Sequence, residues 1–479
     1  MAEISANQIN PSICTHVIYS FIGLDSNGGL NYLWRSEGQS IGFINGMNNL
    51  KAQNPNLKTI VAVGGGNDGL VPVWSQMAAN PNSRSNFASN ILSFLRKHNL
   101  DGVDIDWEYP NMYENSPHDK NNFVLLLQAL KNALGSSYSL SVAIGAGNWR
   151  TGLSYDVKSI FNACSFVNLM TYDMHGGWEG KTGHHSALHR SSLDPTDANV
   201  EDAVNVLLRE GIDRSKLIVG IPTYGGSFNL VNANNNGIGA PATGAGIVKY
   251  NQICQRIRSG QFNYRWESTQ KVPYVFSGNE WIGFDDVKSV TEKANFIKNT
   301  NLGGAMFWDL DNEDFGNSCG GGSYPLISTV YNVIRGNSGS STNPPVTNPP
   351  MTNPPTTKNP GNSFFCPGDG IFANPNDCRT FYNCASGTAH LMSCGAVKLI
   401  DYTTNNMKLT HILFIGFVLL ISSQVNAFVC PGDGIFANPN CCRTFYNCGH
   451  GRAHLMSCGP SLYLNQVTKA CDWPRNVRC

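Results

Sequence analysis

Seven short apolar runs recur along the first two thirds of the chain, and longer amphipathic segments separate them. The runs are THVIYSF, KTIVAVGGG, VDIDWEY, LSVAIG, VNLMTYD, LIVGIPTYG and GGAMFWD. Such runs are typical of strands buried on both faces of a sheet. One segment between them, NSRSNFASNILSFLRKH, predicts a helix capped by Asn82 or Ser83. Strands and helices therefore alternate as in βαβ units, which predicts a parallel sheet.

Polar and aromatic residues recur where these runs end, as WEYP, MTYD, PTYG and FWD. In a closed β/α barrel the C-terminal strand ends form one rim, so we expect these groups to converge. A barrel of this kind needs eight strands, so seven runs predict a barrel that lacks its first strand.

The stretch 226–283 is longer than one helix requires. Its strand candidates VPYVF and EWIGF predict a small α+β insertion.

The stretch DGVDIDWEYP places four acids within eight residues. Because side chains alternate along a strand, Asp104, Asp106 and Glu108 share one face at a spacing of roughly 6.6 Å. Three inward-facing carboxylates cannot all ionise cheaply, so at least one pKa should rise and leave a protonated acid at neutral pH. General acid catalysis needs such a group. A calcium-binding or solvent-facing strand end is the alternative, and the apolar residues between the acids argue against it.

Composition narrows the partners and the compartment. Thirty-three basic residues balance thirty-three acidic ones, without a basic run that would suit a nucleic acid. Of the fifteen cysteines, eleven lie after residue 365, a density typical of secreted disulfide scaffolds. Cys254 and Cys319 flank much of the insertion, and we expect them to form a disulfide. The first dozen residues lack the apolar run of a secretory signal.

The region 1–335 resembles the family 18 glycoside hydrolases, which are chitinases and inactive lectin relatives. DGVDIDWEYP fits the family signature DxxDxDxE, and MTYD, GIPTYG and GGAMFWD follow in the expected order. The resemblance implies an α/β protein with a TIM (β/α)8 barrel. It also implies retaining hydrolysis of β-1,4 bonds in chitin, with the substrate's own N-acetyl group as nucleophile. Neither a metal nor an organic cofactor is implied, and the expected partners are chitin and N-acetylglucosamine oligomers.

The resemblance also implies roles for individual residues. Glu108 would protonate the glycosidic oxygen and then activate water. Asp106 would orient the acetamido group as it closes to an oxazolinium ion, and Asp104 would share a proton with Asp106. Tyr172 would donate a hydrogen bond to the acetamido carbonyl. Asp101 stands outside the alternating set, and we expect it to be structural.

Further residues match the family's sugar-binding positions. Trp308 resembles the residue that floors the cleaved sugar's subsite, and ordinary core packing is the alternative for each aromatic. The neighbouring substrate-binding candidates are Tyr109, Met170, Asp173, Trp178 and Tyr224. The chain departs from the family at Gly65, Gly66 and Asn67, where relatives often have GGW, and at Gly226, where they often have arginine. Cys14 is expected to lack its partner, because relatives carry that cysteine on the first strand.

The composition changes after residue 335, where TNPP repeats predict an extended linker over 336–364. A disulfide-rich repeat then occurs twice. The copy at 365–395 is truncated, and the copy at 428–479 is complete, with four changes in thirty shared positions. Both resemble the peritrophin-type chitin-binding domain. Zinc is the rival explanation for clustered cysteines, but no paired CxxC spacing supports it.

By this resemblance the complete copy would contain the disulfides Cys430–Cys448, Cys442–Cys479 and Cys458–Cys471. Cys441 replaces Asp377 of the first copy and is left over. Tyr446 and Trp473 are the expected residues for stacking on sugar rings, ahead of Phe445.

Between the copies, a junction at 396–406 precedes an apolar segment at 407–427 that has the anatomy of a secretory signal peptide. Its position inside the chain suggests that two gene products are fused, and a membrane anchor is the alternative, although the run is short for a stable span.

The expected location is extracellular. The predicted function is chitin hydrolysis targeted by the chitin-binding modules. The alternatives are a chitin-binding lectin without turnover, on account of the missing strand, and a matrix-coating protein.

Overall fold

The computed structural model describes residues 4–33, 35–112, 116 and 118–336, together with eight short strands between residues 370 and 472. The chain divides into two compact units, Met1–Thr347 and Asn348–Cys479. Within the described residues, no helix has both the length and the apolar character that crossing a membrane requires.

Seven parallel strands form the sheet of the first unit, and they coincide with the seven apolar runs. In chain order they are His16–Leu24, Lys58–Gly64, Gly102–Asp106, Ser139–Gly145, Phe166–Met170, Leu217–Pro222 and Gly304–Trp308. Each pairs with the next, and a two-residue strand, Leu30–Asn31, adds antiparallel to the first. The sheet is that of a β/α barrel, as expected, with seven parallel strands where a closed barrel has eight.

The sheet is open between its first and last parallel strands. In the described part of the chain, no strand joins His16–Leu24 to Gly304–Trp308, and the outer edge of His16–Leu24 pairs only at its end, with Leu30–Asn31. A cavity of about 920 Å³ occupies this side. Ile9, Cys14 and Phe307 lie in its wall, together with Asp104 and Asp106. The opening therefore reaches the acidic strand. Among the described cysteines, Cys14 and Cys164 are free thiols.

Helices connect the strands. In the barrel they are Glu37–Asn49, Val71–Ala79, Pro81–Lys97, Asp119–Leu134, Asn148–Ser154, Val157–Ala163, Val200–Arg209, Val287–Asn299 and Pro325–Arg335. The expectation of Asn82 or Ser83 as a helix cap was wrong. Asn80 is the cap, because its side chain accepts hydrogen bonds from the backbone N–H groups of both residues, and Pro81 occupies the first helical position.

The insertion folds as a five-stranded antiparallel sheet with one helix, Tyr250–Arg258. Its strands are Tyr224–Leu230, Ala242–Lys249, Asn263–Glu267, Val272–Ser277 and Glu280–Gly283. Phe228 and the fully buried Trp281 form an edge-to-face pair in its own small core. A disulfide joins Cys254 to Cys319, the pair that the sequence suggested, and ties the insertion to the chain that follows the last barrel strand.

Packing on the outer face of strand Gly102–Asp106 sets the direction of its acids. Val103 and Ile105 are fully buried, and Trp107 just beyond the strand is 1% exposed. The Trp107 ring stacks on Trp74 at 5.7 Å between centroids, and Phe123 meets it edge-on at 5.6 Å. Because side chains alternate along a strand, the acids between these residues point to the barrel interior.

The two cysteine-rich repeats form matching three-stranded antiparallel sheets. The first contains Gly370–Ala373, Thr380–Ala385 and Thr388–Ser393, and the second contains Gly434–Ala437, Thr444–Gly449 and Arg452–Ser457. Equivalent residues pair in both, as Phe372 with Tyr382 and Phe436 with Tyr446. The second copy adds a hairpin, Tyr463–Asn465 with Ala470–Asp472.

Several expectations fall outside the described residues. They are the linker at 337–364, the apolar segment at 407–427, Trp473, Cys441, and the pairs Cys430–Cys448, Cys442–Cys479 and Cys458–Cys471, of which no pair has both members described. Tyr446 and Phe445 lie on a described strand, for which the structure gives the backbone pairing alone.

The disulfide should matter for stability. It closes a loop with a sequence separation of 65, so we expect the Cys254→Ala/Cys319→Ala variant to lose about 2–4 kcal/mol of unfolding free energy. Urea denaturation measures this loss. A reductant should lower the midpoint of the wild-type chain and leave the double variant unchanged. Equal sensitivity of both proteins to the reductant would contradict the assignment.

Candidate active site

Asp104 lies deepest of the three aligned acids. It is 4% exposed and accepts hydrogen bonds from Ser141 Oγ at 2.5 Å and Asn168 Nδ2 at 3.0 Å. Ser141 lies on the adjacent strand of the sheet, and Asn168 lies on the strand beyond it. Burial raises the pKa of Asp104 to about 6, and the two hydrogen bonds oppose that rise.

Asp106 sits between the other two acids and is 5% exposed. Within the described part of the chain, its Oδ1 atom is buried without a hydrogen-bond partner. Burial raises the pKa of Asp106 well above its ordinary value, and the charges of Glu108 and Asp104 raise it further. The protonated form of Asp106 is therefore favoured more strongly than that of an exposed aspartate.

Glu108 is half-buried at the rim and has space on one side. A methyl group placed on Gly66 would lie 3.3 Å from Glu108 Oε1, so the absent side chain leaves the acid uncovered there. Burial raises the pKa of Glu108, a hydrogen bond with Tyr109 opposes this, and the charge of Asp173 adds to it. Glu108 is thus biased toward the protonated form that an acid catalyst needs.

The end of strand Phe166–Met170 supplies a second wall. Tyr172 is half-buried, its ring meets Tyr224 edge-on at 6.4 Å, and its hydroxyl lies 4.0 Å from Met306 Sδ. Asp173 adopts a left-handed φ of +53°, and its Oδ1 lies 3.3 Å from His185 Nδ1. Burial raises the pKa of Asp173, but the hydrogen bond from His185 and its charge outweigh this and lower it. Asp173 is therefore ionised at neutral pH.

Trp308 ends the last barrel strand beside the open side of the sheet. Its ring lies 5.4 Å from that of Phe21, which belongs to the first strand, at an interplanar angle of 35°. Trp308, Tyr172, Asp104 and Asp106 line the same cavity. A flat apolar ring therefore lies beside the carboxyl groups, which is the surface that sugar rings favour.

Two predicted binding residues are placed differently. Met170 is 7% exposed and packs into the sheet. Trp178 is 69% exposed, and no described contact joins it to the carboxyl groups. Its loop is anchored by His175, whose two ring nitrogens each lie 2.8 Å from a carboxylate, that of Glu179 and that of Asp194. Burial lowers the pKa of His175, but these two partners raise it to about 9.

Asp101 has the structural role that we expected. It lies at the opposite end of the strand, where it pairs with Lys51 at 2.7 Å and accepts from the Thr59 backbone N–H at 2.7 Å. Burial raises the pKa of Asp101, but these two contacts overcome it, and the net effect is a lowered pKa.

Sequence reasoning missed the partners that hold the site. Ser141 and Asn168 carry Asp104, His185 contacts Asp173, and Phe21 packs on Trp308. One signal was available for the first two. Each is a polar residue inside an otherwise apolar run, and Ser141 pairs in register with Asp104. A polar residue on a strand buried on both faces requires a polar partner.

Aligned carboxyl groups with raised pKa values, together with aromatic rings at the C-terminal rim of a β/α barrel, are typical of the glycoside hydrolases. The chain belongs to the glycosyl hydrolases family 18, which it matches over residues 2–313. It also matches the chitin-binding Peritrophin-A domain over residues 366–405 and 430–479.

Individual relatives agree with this assignment. Chitotriosidase-1 of Mus musculus is 37% identical over 413 residues, covering 81% of this chain and 87% of the relative. The structure of the Ostrinia furnacalis Group IV chitinase in complex with allosamidin has a TM-score of 0.67 at 34% identity and covers 70% of this chain and 95% of that one. Human YKL-39, described as a pseudo-chitinase with retained chitooligosaccharide binding, has a TM-score of 0.64 at 33% identity, covering 69% and 94%.

Because the pKa of Asp104 is raised, its ionised form should lower the free energy of unfolding. Stability from a carboxyl group with a raised pKa is present below its unfolded value of 3.8 and is lost as the pH rises through about 6. We expect Asp104→Asn to raise the free energy of unfolding at pH 7.5 by up to about 3 kcal/mol, and to raise the melting temperature with it. At pH 4 the substitution should have little effect.

Asp101→Asn is the matched control on the same strand. Because the pKa of Asp101 is lowered, its stability contribution is present above 3.8, so this variant should melt lower at pH 7.5. Thermal melts across the pH range measure both effects. The same sign for the two variants at pH 7.5 would contradict the electrostatic assignment.

Proposed function

We propose that the chain hydrolyses β-1,4 bonds in chitin and chitin oligosaccharides with retention of configuration. The observation that carries the proposal is the convergence of Asp106, whose pKa is raised, with Glu108 and Tyr172 at the barrel rim. The reaction needs one protonated acid and one group that orients the substrate's acetamido nucleophile. Residues of this kind occupy the interior strand end and the adjoining loop.

Glu108 is the general acid and then the general base. Its raised pKa favours the protonated form, which transfers a proton to the glycosidic oxygen as the bond to the leaving sugar breaks. The resulting carboxylate accepts a proton from water when water attacks the oxazolinium intermediate. The space beside Gly66 leaves Glu108 accessible to the leaving group.

Asp106 and Asp104 handle charge below the reacting sugar. The acetamido N–H donates a hydrogen bond to a carboxyl oxygen of Asp106, which aligns the carbonyl oxygen with the anomeric carbon. As positive charge develops on the closing ring, the proton of Asp106 moves toward Asp104. The pKa of Asp104, about 6, lets it accept this proton in part near neutral pH. The buried position of both acids strengthens this stabilisation.

Tyr172 and Trp308 position the sugar. Burial raises the pKa of Tyr172 well above its ordinary value, so its hydroxyl remains a hydrogen-bond donor for the acetamido carbonyl. Trp308 supplies the stacking surface. The Peritrophin-A matches would hold the enzyme on insoluble chitin, and this combination of domains favours an extracellular location.

Replacement of the acid tests the function. Glu108→Gln should lower kcat on a fluorogenic chitobioside by about 10²–10⁴-fold, because the amide cannot donate the catalytic proton. Binding of chitotriose, measured by calorimetry, should persist. Glu210→Gln, at an exposed helix end, is the charge-matched control and should leave the rate unchanged.

Chitin binding without turnover is the second candidate. The observation that favours it is the open side of the sheet, whose cavity reaches Asp104 and Asp106. In that case the wild-type chain and Glu108→Gln would bind chitotriose equally, and neither would release the fluorophore. This outcome would reject the hydrolytic proposal.

The charge of Asp173 should set the alkaline limit of the reaction. Because it raises the pKa of Glu108, Asp173→Asn should make Glu108 easier to deprotonate and move the alkaline limb of kcat/KM to lower pH. The measurement is the pH profile on the chitobioside, with Glu210→Gln as the control for a general charge effect. An unshifted or alkaline-shifted limb would show that Asp173 does not act on the acid.

A further inference from the structure

A fully buried ion pair lies behind the candidate site and has no part in the mechanism above. Lys293 Nζ lies 2.6 Å from Asp285 Oδ2, and both side chains are 0% exposed. Burial of an ion pair costs desolvation free energy, and replacement by apolar residues is often no worse for stability. The burial of this pair therefore points to a use other than stability.

The Lys293 ammonium has a second partner that leads toward the site. It donates to Ser186 Oγ at 2.8 Å, and Ser186 Oγ donates to the backbone carbonyl of Thr171 at 2.6 Å. Thr171 is the residue before Tyr172. The Ser186 hydroxyl thus donates its hydrogen bond to the segment that contains Tyr172 and accepts one from the buried Lys293 ammonium.

That segment needs an external support. Beyond Met170 the chain leaves the sheet, and Asp173 takes a left-handed backbone conformation, which is unfavourable for a residue with a side chain. The contacts that hold it come partly from residues 184–186, since the backbone N–H of Met174 donates to the His185 carbonyl at 3.0 Å. The segment around Tyr172 is therefore held in part by residues 184–186 and in part by the Thr171 hydroxyl, which donates to the Gly220 carbonyl at 2.6 Å.

Residues 184–186 are in turn fixed to the chain that follows the insertion. His184 Nε2 donates to the Phe284 carbonyl at 2.8 Å, and its Nδ1 accepts from the Ser186 backbone N–H at 3.1 Å, which defines the neutral tautomer. Asp285 and Lys293 complete the anchor from the start and the middle of helix Val287–Asn299. All of these contacts are buried.

We propose that Ser186, held by the Lys293–Asp285 pair, is a positioning residue that sets the location of the Tyr172 hydroxyl. It acts through the Thr171 carbonyl and touches neither substrate nor a reacting atom. The inference rests on the proposed hydrolysis for its kinetic consequence. A hydroxyl displaced by about 1 Å loses alignment with the acetamido carbonyl in the transition state, which can cost up to about 10²-fold in rate.

Two serine variants separate positioning from stability. Ser186→Ala removes the link to Thr171 and keeps the ion pair. Ser289→Ala removes a hydroxyl that donates to the other oxygen of Asp285 at 2.7 Å and that caps helix Val287–Asn299, but it leaves the Ser186 link intact. Both lose a buried serine hydroxyl that contacts the ion pair, Ser186 at Lys293 and Ser289 at Asp285, so both should melt at a lower temperature.

The variants should differ in catalysis. On the fluorogenic chitobioside, Ser186→Ala should lower kcat by about 10–100-fold with KM changed less than about threefold, and Ser289→Ala should match the wild type in both constants. Equal kcat in the two variants, or a Ser186→Ala effect confined to KM, would overturn the inference.

A crystal structure of each variant supplies a readout that does not depend on turnover. The Tyr172 ring should be displaced in Ser186→Ala and unmoved in Ser289→Ala. If the wild-type chain does not cleave the chitobioside, the proposed hydrolysis fails and this structural comparison alone decides the inference. A Tyr172 ring that keeps its place in both variants would reject it.

Discussion

The structure depends on one electrostatic constraint, that three carboxyl groups on one face of one strand cannot all be charged inside a barrel. Asp104, Asp106 and Glu108 alternate with residues that pack outward, so the strand cannot turn its acids to solvent without exposing Trp107. At least one of the three carboxyl groups must therefore stay protonated. Ser141 and Asn168 stabilise the charged form of Asp104, so protonation of Asp106 and Glu108 is the more favoured.

This constraint also explains why much of the site could be read from the sequence. Strand periodicity is local, and seven apolar runs sufficed for the seven parallel strands and for the face that each acid occupies. The resemblance to family 18 then placed Tyr172, Tyr224 and Trp308 beside the acids. Their common position at strand ends follows from parallel topology, because the C-terminal ends of such strands meet at one rim.

What could not be read is the set of contacts between distant segments. Ser186 and Lys293 are separated by 107 positions, and neither lies in a recognisable motif. Asn80 was missed as a cap because Asn82 and Ser83 offer the same chemistry two residues later, and only the position of Pro81 separates them. Trp178 matched the family by position, yet position in a motif says nothing about how a loop presents its side chain. Such choices are made by tertiary packing, where many pairings compete.

The opening beside the last barrel strand links ligand binding to the closure of the barrel. Gly304–Trp308 is hydrogen-bonded along one edge, and in the described chain its contact across the opening includes the ring of Phe21 on Trp308. A sugar bound on Trp308 would rest on a strand that pairs along one edge. Because a ligand that binds only the folded chain adds to folding stability, part of its binding free energy would appear as stability of the barrel. The bound sugar would thus serve as a structural support for the open side of the sheet.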